Sequence, residues 1–241
     1  MIKRPSNQTN LQKIQLLLNN YQPNRSIVKE LQSIKFILLT APTAAGRNSV
    51  IEKLIEKGQY HYIVSDTTRP PRYNNGKLEK NGEVYWFKTE QDFFNSLKSG
   101  NYLEAAVIHN QQASGININE LRAAKQNNKL AITDIDIVGC RTITSLSCNT
   151  LPLFLLPPDF STWMIRLHGR GQLTAGETKR RLSSAKHELL LALSDSSYSF
   201  IINDILEDTV EKVHSIVFGN ILLEDQKKAR KKAKELLKNL N

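Results

Sequence analysis

The feature that most limits the fold is a short apolar run followed at once by a turn of small residues. Ile34–Thr40 (IKFILLT) lacks polar–apolar alternation, the pattern of a strand buried on both faces. Ala41-Pro42-Thr43-Ala44-Ala45-Gly46 breaks the run, and a helix is predicted from about Asn48 to Lys57, stopped by Gly58. A strand that ends in such a turn and opens a helix aims backbone N–H groups and the positive end of the helix dipole at one point, which suits a phosphate. Leu130–Asp136 and Leu151–Leu156 read as further buried strands, and Ser199–Asn203 as a weaker one. Helical patterns at Ile118–Asn127 and Thr174–Leu193 lie between them. This alternation predicts an α/β protein, a parallel sheet wrapped by helices through right-handed crossovers.

Residues at about 60–116 break that rhythm. Short strands (Val84–Lys88, Tyr102–Ile108), turns at Asn74-Asn75-Gly76 and Asn81-Gly82 and one helix near Glu90–Lys98 look like an insert hanging from the sheet. Residues 1–33 are polar, with an apolar rhythm at Leu11, Ile14, Leu17 and Leu18 that suits an amphipathic helix. Residues 221–241 read as an appended basic helix, which holds a large share of a net charge of +10. A solvated helix is the expectation there, with a weak RNA or acidic-partner contact as the alternative; nucleic acid is otherwise not expected as a partner. Two cysteines, Cys140 and Cys148, are too few for a disulfide framework or a cysteine-based zinc site. No apolar stretch approaches the ~18–20 residues of a membrane span, and no leader is visible, so a cytoplasmic protein is expected.

Set against the usual phosphate-loop pattern, Ala41 stands for the first Gly, Arg47 for the Lys, and Asn48 for the Ser or Thr that precedes Ser49. The rest of the chain supplies an ordered series: Ser65-Asp66-Thr67-Thr68-Arg69-Pro70-Pro71-Arg72, Tyr85, Glu104, Asp134-Ile135-Asp136 with Gly139, Leu156-Pro157-Pro158, Arg166 through Arg170-Gly171, Arg180-Arg181-Leu182, and Asn203-Asp204. From about residue 34 to 218 this series resembles the guanylate kinase family. The resemblance implies a phosphate-loop core at 34–220, a monophosphate-binding insert at about 60–116 and a lid at about 159–185. It implies ATP and GMP as partners, with magnesium arriving with ATP, contacted by Asn48 or Asp134 rather than held by a dedicated protein site.

Phosphoryl transfer asks for positioning and positive charge around spreading negative charge. Ala41 to Ser49, Arg47 included, would hold the donor phosphates, and Asn203 looks like the family's adenine-side contact. Arg69 and Arg72, stiffened by Pro70 and Pro71, would grip the acceptor phosphate with Tyr85. A carboxylate accepts from both N1–H and N2–H₂ of guanine, so Glu104 would read the base with Ser65 in support. Asp134 and Asp136, at alternate positions near a strand end, would share one face and order magnesium or contact the nucleoside, with a capping role as the alternative. Arg47, Arg166, Arg170 and Arg181 are the expected catalytic cations. Gln112-Ala113-Ser114-Gly115-Ile116 departs from the family's Tyr-Gly-Thr/Ser run, which loosens the case for guanine and leaves another monophosphate open. The altered loop keeps a rival reading alive, a catalytically impaired guanylate-kinase-like domain that binds a nucleotide or a protein.

Overall fold

The structure, a computed structural model, describes residues 9–74, 76–169, 171 and 173–240; Asn75 and Arg170 lie outside the described residues. In chain order its elements begin with α1 (Asn10–Leu18), α2 (Arg25–Leu31), β1 (Phe36–Thr40), α3 (Arg47–Glu56), β2 (Tyr60–Tyr62), β3 (Asp66–Thr67), β4 (Tyr73–Asn74), β5 (Lys77–Leu78) and β6 (Trp86–Phe87). They continue with α4 (Glu90–Lys98), β7 (Tyr102–Ile108), β8 (Gln112–Asn117), α5 (Ile118–Gln126), β9 (Leu130–Asp134), α6 (Ile137–Leu146) and β10 (Thr150–Leu156). The last are α7 (Phe160–His168), α8 (Ala175–Ser194), β11 (Ser199–Ile202), α9 (Leu206–Val217) and α10 (Leu223–Lys238). Two compact units divide the chain, one of residues 1–34 with 63–127, the other of 35–62 with 128–241.

The second unit is built on a parallel five-stranded sheet in the order β11-β10-β1-β9-β2. All five residues of β1 are buried, as a central parallel strand requires. Ile37, Leu39, Ile132, Leu153, Leu155 and Ile201 from the strands meet Val50, Ile51 and Leu54 of α3 and Val210, Val213 and Ile216 of α9 in one core. The chain runs from β1 to one edge of the sheet and later resumes on its other side. β1 is therefore the point where strand order reverses, and the space beyond its carboxyl end is where α/β sheets take ligands.

The basic C-terminal segment is not solvated on all sides. α10 buries Ala229, Ala233 and Leu236, and it covers the edge strand β11. The Gln226 amide accepts from Phe200 N–H (2.9 Å) and donates to Phe200 C=O (3.1 Å), taking the place of a neighbouring strand. Arg230 adds a bond to Tyr198 C=O (3.0 Å) and lies over the Phe200 ring. Lys227, Lys231, Lys234 and Lys238 keep the opposite face in water.

In the first unit a four-stranded sheet, β6-β3-β8-β7, packs with α1 and α4 around Ile14, Phe93, Leu97, Tyr102 and Ala113. The apolar rhythm at residues 11–18 forms α1, and Asn24 caps a second helix, α2. The strand expected at Val84–Lys88 shrinks to Trp86–Phe87, because residues 81–85 close a turn in which Gly82 N–H bonds Tyr85 C=O at 2.8 Å. β4 and β5 form a separate hairpin between Arg72 and Glu79.

Candidate active site

In the second unit, β1 delivers the loop to α3, whose cap residue Gly46 has φ +92° and gives no side-chain capping bond. The first N–H groups of α3 thus lack the usual side-chain acceptor and face outward with the dipole behind them. The loop is held from behind. Asn203 Nδ2 donates to Ala45 C=O at 2.7 Å and Trp163 Nε1 to Thr43 C=O at 2.8 Å. Ala45 N–H bonds Pro42 C=O at 3.1 Å. A Cβ on Gly46 would stand 2.2 Å from Asn203 Nδ2, so only glycine fits there. Ala44 also takes a left-handed φ of +68°, a strained choice for a residue with a side chain. Ala41, Pro42, Ala44 and Ala45 are buried, whereas Thr43, Asn48 and Ser49 are exposed.

Arg47 opens α3 and lies along the end of β9. Its Nη1 donates to Ile135 C=O at 3.1 Å, and its Nη2 stands 3.3 Å from Asp134 Oδ2. Asp134 Oδ1 accepts from the Tyr62 hydroxyl. The expectation that Asp134 and Asp136 share one strand face is corrected here. β9 ends at Asp134, and Asp136 caps α6, its Oδ1 accepting from Val138 and Gly139 N–H at 2.8 Å each. Arg166, on α7, donates to Asn203 C=O (2.9 Å) and Asp204 C=O (3.3 Å). Arg181 is half-buried on α8 beside an exposed Arg180. Asn203 itself is 4% exposed with its amide spent on the loop, a placement behind the phosphate loop rather than on an open base pocket.

Sequence reasoning passed over Trp163 and Glu188. Glu188 sits on the inner face of α8, between the buried Ala185 and Ala192 and next to the buried Leu189. Burial pushes its carboxyl up to about 7, against a lowering pull from Arg47 and a raising push from Asp136. An acid at a position whose helical phase demands an apolar residue was the available signal.

The first unit gathers a second set. Arg69 is 7% exposed and forks onto Glu79, Nη1–Oε2 at 2.7 Å and Nη2–Oε1 at 3.2 Å. Its guanidinium lies 5.0 Å from the Tyr85 ring centroid and 5.5 Å from that of Phe87. Glu79 also accepts from Arg72 N–H at 2.9 Å, and the Arg72 side chain is exposed; the Arg69 fork, then the Arg72 N–H, hold the Glu79 carboxyl below its ordinary range. Glu79 was missed because the β4–β5 hairpin separates it from the arginines. Ser65 accepts Trp86 N–H through its carbonyl at 2.9 Å. Glu104 is half-buried on β7, just after a break in register with β8. Ile116 faces it on β8, and the neighbouring Gly115, opposite Ala105, has no room for a side chain, since a Cβ would stand 2.6 Å from Glu104 C=O.

A parallel sheet with a reversed strand order, an uncapped helix N-terminus beyond its central strand, and a separate unit presenting arginines define a phosphate-loop nucleotide-binding protein. Comparison with known proteins narrows the class. The family model for guanylate kinase matches residues 33–220. A guanylate kinase of Corynebacterium glutamicum is 32% identical over 187 residues, spanning 77% of this chain and 95% of that protein. One from a Nostoc species is 32% identical over 186 residues, spanning 77% and 90%. Among solved structures, guanylate kinase from Anaplasma phagocytophilum aligns with a TM-score of 0.56 over 86% of this chain and 94% of that one, at 23% identity, a likeness of fold. The chain belongs to the guanylate kinase family, a family of nucleoside monophosphate kinases.

Proposed function

We propose that this protein transfers the γ-phosphoryl group of ATP to GMP, giving ADP and GDP. The observation that carries the reading is the α3 N-terminus, left without a side-chain cap on a loop held from behind by Asn203 and Trp163. The loop from Ala41 to Ser49 cradles the donor phosphates. Arg47 leaves Asp134 for the moving phosphoryl group, because a phosphate outcompetes a half-open carboxylate pair. Arg69, Arg72 and Tyr85 hold the acceptor phosphate, and Glu104 with Ser65 reads guanine. A GMP phosphate oxygen attacks the γ-phosphorus as the bond to the β–γ bridging oxygen breaks, while Arg166, Arg170 and Arg181 add charge. Asp136, bound to α6, supports the end of β9 rather than touching the nucleoside. A hard oxygen of Asn48 or Asp134 would contact a magnesium ion arriving with ATP, which would supply positive charge against the phosphates. No described helix is long and apolar enough to cross a membrane, and the free thiols of Cys140 and Cys148 suit the cytoplasm as the proposed setting.

The test is a coupled nucleoside-diphosphate assay with ATP, magnesium and each monophosphate in turn. GMP is expected to be the best acceptor, and equal or better turnover of AMP, CMP or UMP sinks the assignment. The Arg47–Asp134 pair favours a second reading, a domain that binds without catalysis. GMP binding with no turnover of any monophosphate would establish it.

A further inference from the structure

Residues 9–32 precede the part matched by the family model, yet they are built into the first unit. Ile14 is fully buried in the core with Phe93, Leu97, Tyr102 and Ala113. Asn24 N–H bonds Gly100 C=O at 3.0 Å, and the Glu30 carboxylate takes two bonds from Arg122, each 2.7 Å. The contact that bears on function is made by Tyr21. Its hydroxyl donates to Tyr102 C=O at 2.6 Å and accepts from Tyr102 N–H at 3.0 Å, so one oxygen takes both main-chain groups of a single residue. Burial pushes the Tyr21 hydroxyl up to about 12, which keeps the proton it donates.

Tyr102 is where β7 leaves register. Pairing passes from Tyr102↔Asn117 to Glu104↔Ile116, leaving Leu103 as the extra residue of a bulge. A bulge bends its strand and re-aims the side chain that follows, and that side chain belongs to Glu104. The Tyr102 ring is fixed separately, stacked on Phe93 at 4.5 Å with its hydroxyl on Asp66 Oδ2 at 2.7 Å. Across the ladder Gly115 lies hard against Glu104 C=O. Ring and opposing strand are thus set by the first unit's own sheet and α4, while the main chain of Tyr102 is held from outside by Tyr21.

We propose that Tyr21 is a positioning residue for recognition of the acceptor base: it holds the bulge that aims Glu104, making the N-terminal segment part of the monophosphate site. This rests on Glu104 reading guanine. Tyr21→Phe deletes one oxygen and keeps the ring. In steady-state assays it is expected to raise KM for GMP about tenfold, with kcat and KM for ATP within about twofold of wild type and the melting temperature lowered by no more than a few degrees. Added to Glu104→Gln it should cost nothing further, because both changes act through one carboxylate. An unchanged KM for GMP, an equal rise in KM for ATP, or fully additive losses overturn the proposal. Amide hydrogen exchange on the intact chain is a separate arm, in which residues 102–105 should exchange faster in Tyr21→Phe. Should the wild-type protein fail to phosphorylate GMP, the functional reading falls by itself, and unchanged protection at residues 102–105 still overturns the role of Tyr21.

Discussion

Arg47 and Arg69 each meet a carboxylate, one pair half-open and single-pronged, the other buried and forked. Arg47 stands 3.3 Å from Asp134 with both side chains 28% exposed. Arg69 holds Glu79 at 2.7 and 3.2 Å, with side chains 7% and 6% exposed, and its guanidinium lies over the neighbouring rings of Tyr85 and Phe87. A half-open pair contributes at most about 1 kcal/mol and is readily exchanged for a phosphate. A buried fork is costly to break, since either partner left alone is an uncompensated charge. On the proposed function, the half-open arginine would be the one to move with the reaction and the forked one part of the frame that receives the acceptor.

The largest effect is expected at the buried pair. Arg69→Ala removes a proposed phosphate ligand and strands Glu79, so kcat/KM for GMP should fall by about 10³-fold or more and the melting temperature should fall with it. Arg69→Lys should not rescue either loss, because an ammonium cannot reproduce the fork. A melting temperature equal to wild type in Arg69→Ala would break the contrast between the two pairs.

Arg47→Ala should act on turnover alone. Its kcat is expected to drop at least ~10²-fold, equivalent to ~2.7 kcal/mol of transition-state stabilisation, with the melting temperature nearly unchanged. Arg47→Lys sharpens the point. The guanidinium spans Ile135 C=O and Asp134 with two nitrogens, and lysine has one, so full recovery of kcat by lysine would show that the loop is not shaped around arginine.

These contrasts were only partly legible in the sequence. Buried parallel strands are continuous apolar runs, so Ile34–Thr40, Leu130–Asp136 and Leu151–Leu156 announced the sheet, although the second strand stops at Asp134. Asp136 misled because alternation assumes the strand continues, whereas a short acid ahead of Ile-Val-Gly competes for the helix cap. Asn203 and Trp163 hold the loop across 158 and 120 residues of chain, and no local pattern carries such a pairing. Glu79 and Tyr21 were hidden for related reasons, one displaced by a hairpin and the other bonded to a strand 81 residues away. The frame behind each proposed functional group is a tertiary property, while the residues proposed to meet substrate were found by their order along the chain.

The smallest expected effect separates the two regions by pH. Arg69 pulls the Glu79 carboxyl down, whereas burial pushes Glu188, in the field of Arg47, up to about 7. For Glu79 the folded state favours the ionised form, so the pair's contribution is present above the ordinary carboxylate range and lost as pH falls through its lowered value. Glu188 has the opposite sign. Between its unfolded value and about 7 the folded chain holds a proton that the unfolded chain has released, so stability declines as pH rises through that window, and the cost is complete above it. Glu188→Gln removes the ionisation and keeps the shape. Its melting temperature should exceed wild type by a few degrees at about pH 8 and by much less at about pH 5, whereas Glu79→Gln should lower the melting temperature at both. An equal difference at the two pH values in Glu188→Gln would mean that the acid is not charged at a cost beside Arg47. Burial would then impose no charging cost near the loop, and the opposite pH dependence of Glu188 and Glu79 would be lost.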